Sequence, residues 1–317
     1  MMVIATPPKV GIGHAHSKLI LVGEHAVVYG KPAIAIPFPL EVTSTVESRE
    51  GEAMLACTHY VGLLNQVPQP LKGIALCINH TLIYLGKPLS GLLIRLQSEI
   101  PMGRGLGSSA AIAVAIVRSL FSFYGRPLTQ HKLMELVHKA EEYAHGNPSG
   151  IDMAATSSHM PIWFQRDRKV DPLTVGKALH LVVADSGKIG DTLSAVKKVK
   201  ENYRLEPAKV KGAIEQVEQI AKLAKVALAK GDLHMLGSLL DANHDELRTM
   251  GVSDKGLNQL VETAKNEGAL GAKLTGGGCG GCIMALANSL HHAEQLAKRL
   301  LSAGAYKTWY FTIENDT

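Results

Sequence analysis

Apolar and polar residues alternate over Leu40 to Glu47 (Leu-Glu-Val-Thr-Ser-Thr-Val-Glu), the period of a strand with one buried face. The stretch before it, Lys9 to Ile36, is rich in Val, Ile, Leu, His and Gly and reads as short strands joined by a glycine-containing turn. Gly91 to Ser98 predicts another strand. Ser108 to Phe121 is apolar all round, as expected of a buried helix. Thr129 then stands as N-cap of a helix to about His145, with Leu133, Leu136, Val137, Ala140 and Ala144 at three-four spacing. Gly146-Asn147-Pro148-Ser149-Gly150 stops it by turn chemistry.

The charged stretch Gln165 to Pro172 marks a domain boundary near residue 170, giving domains of 1–170 and 171–317. Beyond it, Leu179 to Ala184 predicts a strand. Helical patterns follow at about Asp191 to Asn202, Pro207 to Ala229, Leu233 to Met250 and Ser253 to Asn266. A strand at Ala272 to Leu274 enters a glycine run, Gly276 to Gly281. A strand at Cys282 to Ala287, a helix at Ser289 to Ala303 and a strand at Tyr306 to Ile313 close the chain. No repeat of fixed period is visible.

The length of 317 residues agrees with two domains at about 150 residues each. With 46% apolar and 19% charged residues the composition is globular. The net charge of +5 comes without any run of five basic residues, and with two Trp and five Phe it offers no nucleic-acid footprint. It does suit anionic small molecules. No stretch is apolar enough to span a bilayer, and Met1 to Val10, with two prolines, does not read as a signal peptide. Four cysteines, Cys57, Cys77, Cys279 and Cys282, fit free thiols in a reducing cytoplasm.

Chemistry concentrates in two glycine-rich loops. In Pro101-Met102-Gly103-Arg104-Gly105-Leu106-Gly107-Ser108-Ser109-Ala110-Ala111, glycines at alternate positions let successive N–H groups face an anion, and the following helix adds its positive end. A tight strand-to-helix turn capped by Ser is the plainer reading. The loop lacks the Gly-Lys-Ser/Thr ending of a Walker A motif. The second loop, Lys273 to Cys282, has five glycines in the six positions from Gly276 to Gly281, which signals close backbone approach to a ligand or to the other loop. Its Cys-x-x-Cys has no matching second pair and opens no helix, so neither zinc nor thioredoxin chemistry is expected.

Glu141, late in one helix, and Asp152, after the turn, offer two carboxylates for phosphoryl transfer, one for magnesium and one for the attacking hydroxyl. A solvated helix face and a helix cap are their plainer readings. Lys18 opens an apolar strand and serves as a phosphate contact or a strand-edge charge. Glu24-His25 stands at a glycine turn, where a hydrogen-bonded turn pair is the plainer reading. His14 and His16 are too few to close a metal site.

Taken together, Lys18 to Gly30, Pro101 to Ala111 and Lys273 to Cys282 resemble, in order, the three signature regions of the GHMP small-molecule kinases, the family of galactokinase, homoserine kinase, mevalonate kinase and phosphomevalonate kinase. Gly23-Glu24-His25-Ala26-Val27-Val28-Tyr29-Gly30, the run His145 to Asp152 and Asn243-His244 resemble its mevalonate-using branch. The resemblance implies an α/β (α+β) two-domain fold, a ribosomal-protein-S5-like N-terminal domain that binds ATP and a ferredoxin-like C-terminal domain, with the active site between them. It implies ATP as co-substrate, Mg2+ as cofactor and the 5-hydroxyl of mevalonate as acceptor. By the same resemblance Asp152 is the catalytic base and Lys18 the stabilising cation. Ser109 and Glu141 hold magnesium, Pro101 to Ala111 cradle the ATP phosphates, and Glu24, His25 and Thr275 lie at the acceptor.

Arg104, where many relatives have a small residue, and Cys279, where a glycine is common, depart from the pattern. A sister kinase with a phosphorylated acceptor stays open, since Arg104 and Lys188 offer cations, as does a non-catalytic ATP sensor. No nucleic acid or membrane partner is implied, and the oligomeric state, a homodimer included, stays open.

Overall fold

The computed structural model describes residues 9–145 and 148–315. Residues 1–8 and Gly146-Asn147 of the helix-stopping turn lie outside them. The chain divides into two compact units that are not consecutive halves. One comprises Leu40–Ile100 and Ser108–Ser157 with the chain up to Ser17, and the other comprises Lys18–Pro39, Pro101–Gly107 and Ser158–Thr317. Two paired strands, β1 (Val10–Val22) and β2 (Ala33–Glu52), contribute residues to both. The short strands expected here are therefore two long ones, and the alternating stretch Leu40 to Glu47 is part of β2.

The first unit continues through β3 (Met54–Cys57), β4 (Tyr60–Leu63), α1 (Lys72–Leu85), β5 (Ser90–Ser98), α2 (Ser108–Tyr124), α3 (Gln130–His145) and α4 (Ile151–Thr156). β5 pairs antiparallel with Val42–Ser48 of β2 and parallel with β3, which forms a hairpin with β4. Helix α2 is buried over most of its surface, as the apolar run from Ala110 to Val117 requires. Thr129 caps α3 by accepting from the Lys132 N–H at 3.3 Å. β1 runs against α2 so closely that a Cβ at Gly13 would stand 2.2 Å from the Ala115 carbonyl oxygen. Ser44 and Ser119 share a buried hydrogen bond of 2.8 Å in the same unit.

The second unit adds β6 (Ile162–Phe164), β7 (Asp171–Pro172), β8 (Leu179–Asp185), α5 (Thr192–Leu205), α6 (Pro207–Lys230), α7 (Leu233–Thr249), α8 (Lys255–Asn266), β9 (Gly271–Thr275), β10 (Cys282–Ala287), α9 (Leu290–Ser302) and β11 (Lys307–Ile313). Pro37 and Pro39 fit inside β2 because they fall between Ala33–Ala35, paired to β6, and Val42–Ser48, paired to β5. Strands β8 to β11 form an antiparallel sheet in the order β11-β8-β10-β9. Counted from β8, that is the 4-1-3-2 order of a ferredoxin-like unit. Val182, Ala184, Ile283, Ala285 and Leu274 of the sheet pack with Leu257, Leu260 and Val261 of α8 and Leu296 and Leu300 of α9. Side chains cap the starts of these helices, Asp254 accepting from Leu257 N–H at 3.0 Å and Ser289 from His292 N–H at 3.1 Å. Among the described residues no helix is long and apolar enough to cross a membrane.

Gly13→Ala inserts a methyl group into backbone that has no room to give. We expect a loss of about 2 kcal/mol or more in urea unfolding; an unchanged midpoint would show that β1 does not lie on α2 as described.

Candidate active site

The first glycine loop belongs to the second unit and is held from outside its own sequence. Gly103, Gly105 and Gly107 all take left-handed φ values (66°, 75° and 75°), which only glycine adopts without strain. The Gly103 carbonyl accepts from Gly190 N–H at 2.9 Å, the Gly105 carbonyl from Lys18 Nζ at 2.9 Å, and the Leu106 carbonyl from Lys18 N–H at 3.2 Å. The second glycine loop lies directly against it: a Cβ at Gly276 would stand 2.9 Å from the Gly105 carbonyl oxygen, and one at Gly281 2.9 Å from that of Arg104. Of the two roles open for the second run, contact with the other loop is realised. A shallow cleft remains between Arg104, Gly105, Gly190, Thr192, Thr275 and the glycines of the second loop.

Lys18 is thus not a strand-edge charge. It is 2% exposed, and its ammonium donates into the first glycine loop. Arg104, the extra cation of that loop, is ion-paired through Nε to Asp185 Oδ2 at 2.8 Å. Lys188 is likewise paired, to Asp254 Oδ2 at 3.0 Å.

The turn between β1 and β2 builds the neighbouring part of the site. Gly23 (φ 106°) and His25 (φ 60°) bend the chain, and the left-handed geometry at His25 is unusual for a residue with a side chain. The bend carries Glu24 inward to an ion pair with Lys273 of β9, the two being 1% and 0% exposed. Burial raises the Glu24 carboxyl pKa and lowers that of the Lys273 ammonium, and their mutual attraction opposes both shifts. Lys273 Nζ also donates to the Leu274 carbonyl at 2.7 Å. Thr275 Oγ1 donates to the Ile20 carbonyl and accepts from the Ile20 N–H, both at 3.1 Å. His25 Nε2 donates to the Gly277 carbonyl at 2.8 Å. Of the three residues expected at the acceptor, Glu24 therefore spends its carboxylate on Lys273, a partner the sequence did not single out. A cation inside a strand whose every residue is buried requires a buried anion, and that burial shows only in the folded sheet.

Asn243 and His244 of α7 back this turn. Asn243 Oδ1 accepts from Gly23 N–H at 3.4 Å, while its Nδ2 is buried without a hydrogen-bond partner. His244 Nδ1 accepts from Leu274 N–H at 3.3 Å, and Nε2 donates to Asn258 Oδ1 at 3.2 Å. This pairing fixes the neutral ring, and burial lowers its pKa to about 4.

In the first unit, Ser109 Oγ, at the start of α2, donates to Glu141 Oε1 at 2.6 Å. Glu141 is 2% exposed, so it is not the solvated helix face of the plainer reading. A hydroxyl beside a buried carboxylate is a hard-oxygen pair that fits magnesium. Among the described residues no group of three or more His, Cys, Asp or Glu forms a further metal cluster. Asp152 lies half-buried in the first turn of α4. His14 and His16 make structural bonds, to Thr43 Oγ1 at 3.1 Å and the Ser17 carbonyl at 2.7 Å. All four cysteines are free, and burial pushes the Cys77 thiol up to about 12 and raises that of Cys282, leaving both inert.

Two family models match the chain, the GHMP kinases N terminal domain over residues 71–159 and the GHMP kinases C terminal domain over residues 224–306. The chain belongs to the GHMP kinase family. Among its curated relatives, the mevalonate kinase of Thermococcus sibiricus is 34% identical over 298 residues, covering 87% of this chain and 89% of that one. The mevalonate kinase of Pyrococcus furiosus is 34% identical over 311 residues, covering 91% and 92%. The crystal structure of L. major mevalonate kinase in complex with R-mevalonate superposes with a TM-score of 0.84 at 29% identity, covering 99% of this chain and 97% of that one.

His244 carries a pH dependence. Its folded pKa of about 4 lies below the ordinary value of 6.5, so protonation favours the unfolded chain. The ring's contribution is whole above about pH 6.5 and is lost as pH falls toward about 4, on the order of 2–3 kcal/mol. We expect His244→Gln to flatten the urea-midpoint profile across that window; a profile as steep as that of the unaltered protein would contradict the buried neutral ring.

Proposed function

We propose that this enzyme transfers the γ-phosphoryl group of ATP to the 5-hydroxyl of mevalonate, giving 5-phosphomevalonate and ADP in isoprenoid precursor biosynthesis. One observation carries the reading: similarity to mevalonate kinases, at 34% identity, extends over 87% of the chain. In the reaction the acceptor oxygen forms a bond to the γ-phosphorus, the bond to the β,γ-bridging oxygen breaks with its electrons leaving on ADP, and the hydroxyl proton goes to a carboxylate.

We assign that carboxylate to Asp152 and the cation facing the developing charge to Lys18. Support for Lys18 comes from its burial and its bond to Gly105, which preorganise a positive charge at the loop. Pro101 to Ala111 supply backbone N–H groups to the phosphates. Ser109 and Glu141 would hold magnesium, which when bound neutralises charge on the phosphate oxygens. His25 and Thr275 flank the acceptor, and Glu24 supports that side through Lys273.

A phosphorylated acceptor loses support, because the cations available for it, Arg104 and Lys188, are each paired with an aspartate. A non-catalytic sensor would have no use for a base and a magnesium pair. The free cysteines favour a reducing compartment, and we assign the cytoplasm.

A coupled ADP-release assay tests the reading. With magnesium and ATP, mevalonate should be turned over in preference to phosphomevalonate, galactose and homoserine. Asp152→Asn should lower kcat by about 10²- to 10⁴-fold with ATP binding nearly unchanged. A variant that turns over like the unaltered enzyme would remove Asp152 as the base.

A further inference from the structure

We propose that Arg104 is a positioning residue for the nucleotide: clamped by Asp185, its guanidinium sets the shape of the phosphate loop without touching the phosphates. The proposal rests on the kinase reading above. Arg104 stands between Gly103 and Gly105, both left-handed, in the middle of a segment whose glycines leave the backbone many alternatives when untied. Its Nε lies 2.8 Å from Asp185 Oδ2, with the two side chains 13% and 1% exposed.

Asp185 is a rigid anchor. It ends β8, in register with Cys282 of β10 and Lys307 of β11. Its Oδ1 accepts from Gly187 N–H at 2.8 Å, and its carbonyl accepts from Tyr306 N–H at 2.8 Å. On the backbone side, the Arg104 carbonyl is close enough to Gly281 to forbid a Cβ there. Arg104 is thereby held at both its main chain and its side chain. The charge is spent inside the protein, so the loop meets an anion with its N–H groups and Lys18 rather than with Arg104.

The alternative, direct contact with a phosphate, makes the opposite prediction for Asp185. Arg104 Nε and Nη1 are both buried without a hydrogen-bond partner, Nε meeting Asp185 as an ion pair only, so Asp185→Asn would leave a cation free to take the nucleotide as its counter-charge. Direct contact then means tighter nucleotide binding in Asp185→Asn. A clamp means weaker binding, as in Arg104→Gln.

The experiment compares the full-length enzyme with Arg104→Gln, Asp185→Asn, Arg104→Lys and the double variant Arg104→Gln/Asp185→Asn. ADP dissociation constants are read by calorimetry, and KM for ATP and kcat by ADP release at saturating mevalonate. We expect each neutralising single variant to raise the ADP dissociation constant and KM about tenfold, with kcat changed by less than about twofold. The double variant should be no worse than either single one, and Arg104→Lys should recover part of the loss. Tighter ADP binding in Asp185→Asn, or unchanged binding in Arg104→Gln, would overturn the clamp. The double variant leaves neither charge uncompensated and keeps the test decisive if Asp185→Asn does not fold. Unaltered enzyme that binds ADP but ignores mevalonate would defeat the functional reading and leave the ADP comparison standing.

Discussion

A carboxylate and an ammonium shut away from water, those of Glu24 and Lys273, anchor the local order of the second unit's site. Burying two charges is costly, and a well-packed apolar pair is often at least as stable, so stability alone does not account for this one. Its position does. It ties the bend at Gly23 to His25 onto β9, from which Thr275 and the second glycine loop follow. His25 reaches Gly277 from that bend, Thr275 returns to Ile20, and Asn243 meets Gly23. Lys18 lies four residues upstream of Val22, the end of the same strand that enters the bend.

The two glycine loops then read as one construction. Backbone that approaches within van der Waals contact of other backbone leaves room only for hydrogen at Gly276 and Gly281. Lys18 and Arg104 fasten the first loop from two directions, one by hydrogen bonds to its carbonyls and the other by an ion pair to the end of β8. A loop fixed before a ligand arrives loses less entropy when one binds, which is the physical basis of preorganisation. In the first unit the short Ser109 to Glu141 bond does the same for a pair of oxygen donors.

Much of this was legible in the chain. The strands from β8 onward and their helices follow the periodicity to within a few residues, because each helix shows one apolar face and all but α6 carry a side-chain cap at the start. Helix α1 was not legible: Ile83 and Tyr84 are apolar but exposed, Gly73 and Thr81 weaken the helical preference, and the stripe is blurred. Strands β3 and β4 have four residues each, too few to establish a period. β2 was broken in two by Pro37 and Pro39, whose harmlessness depends on which residues pair with β5 and β6. In the site, the glycine loops were legible from residue type and spacing, whereas Lys18 was singled out by the resemblance, its residue type alone leaving a strand-edge charge open. The partners of Glu24 and Arg104 were not, since Lys273 and Asp185 lie 249 and 81 residues away and only the folded sheet brings them in.

A double-mutant cycle on the buried pair tests the dependence most directly. Urea unfolding would be followed for Glu24→Gln, Lys273→Met and the two combined. Each single change should cost about 3–5 kcal/mol, because it strands one charge in a dry site. The combined variant should be more stable than either. A combined loss equal to the sum of the single losses would show that the two groups do not interact, and would contradict the pair as the foundation of the site.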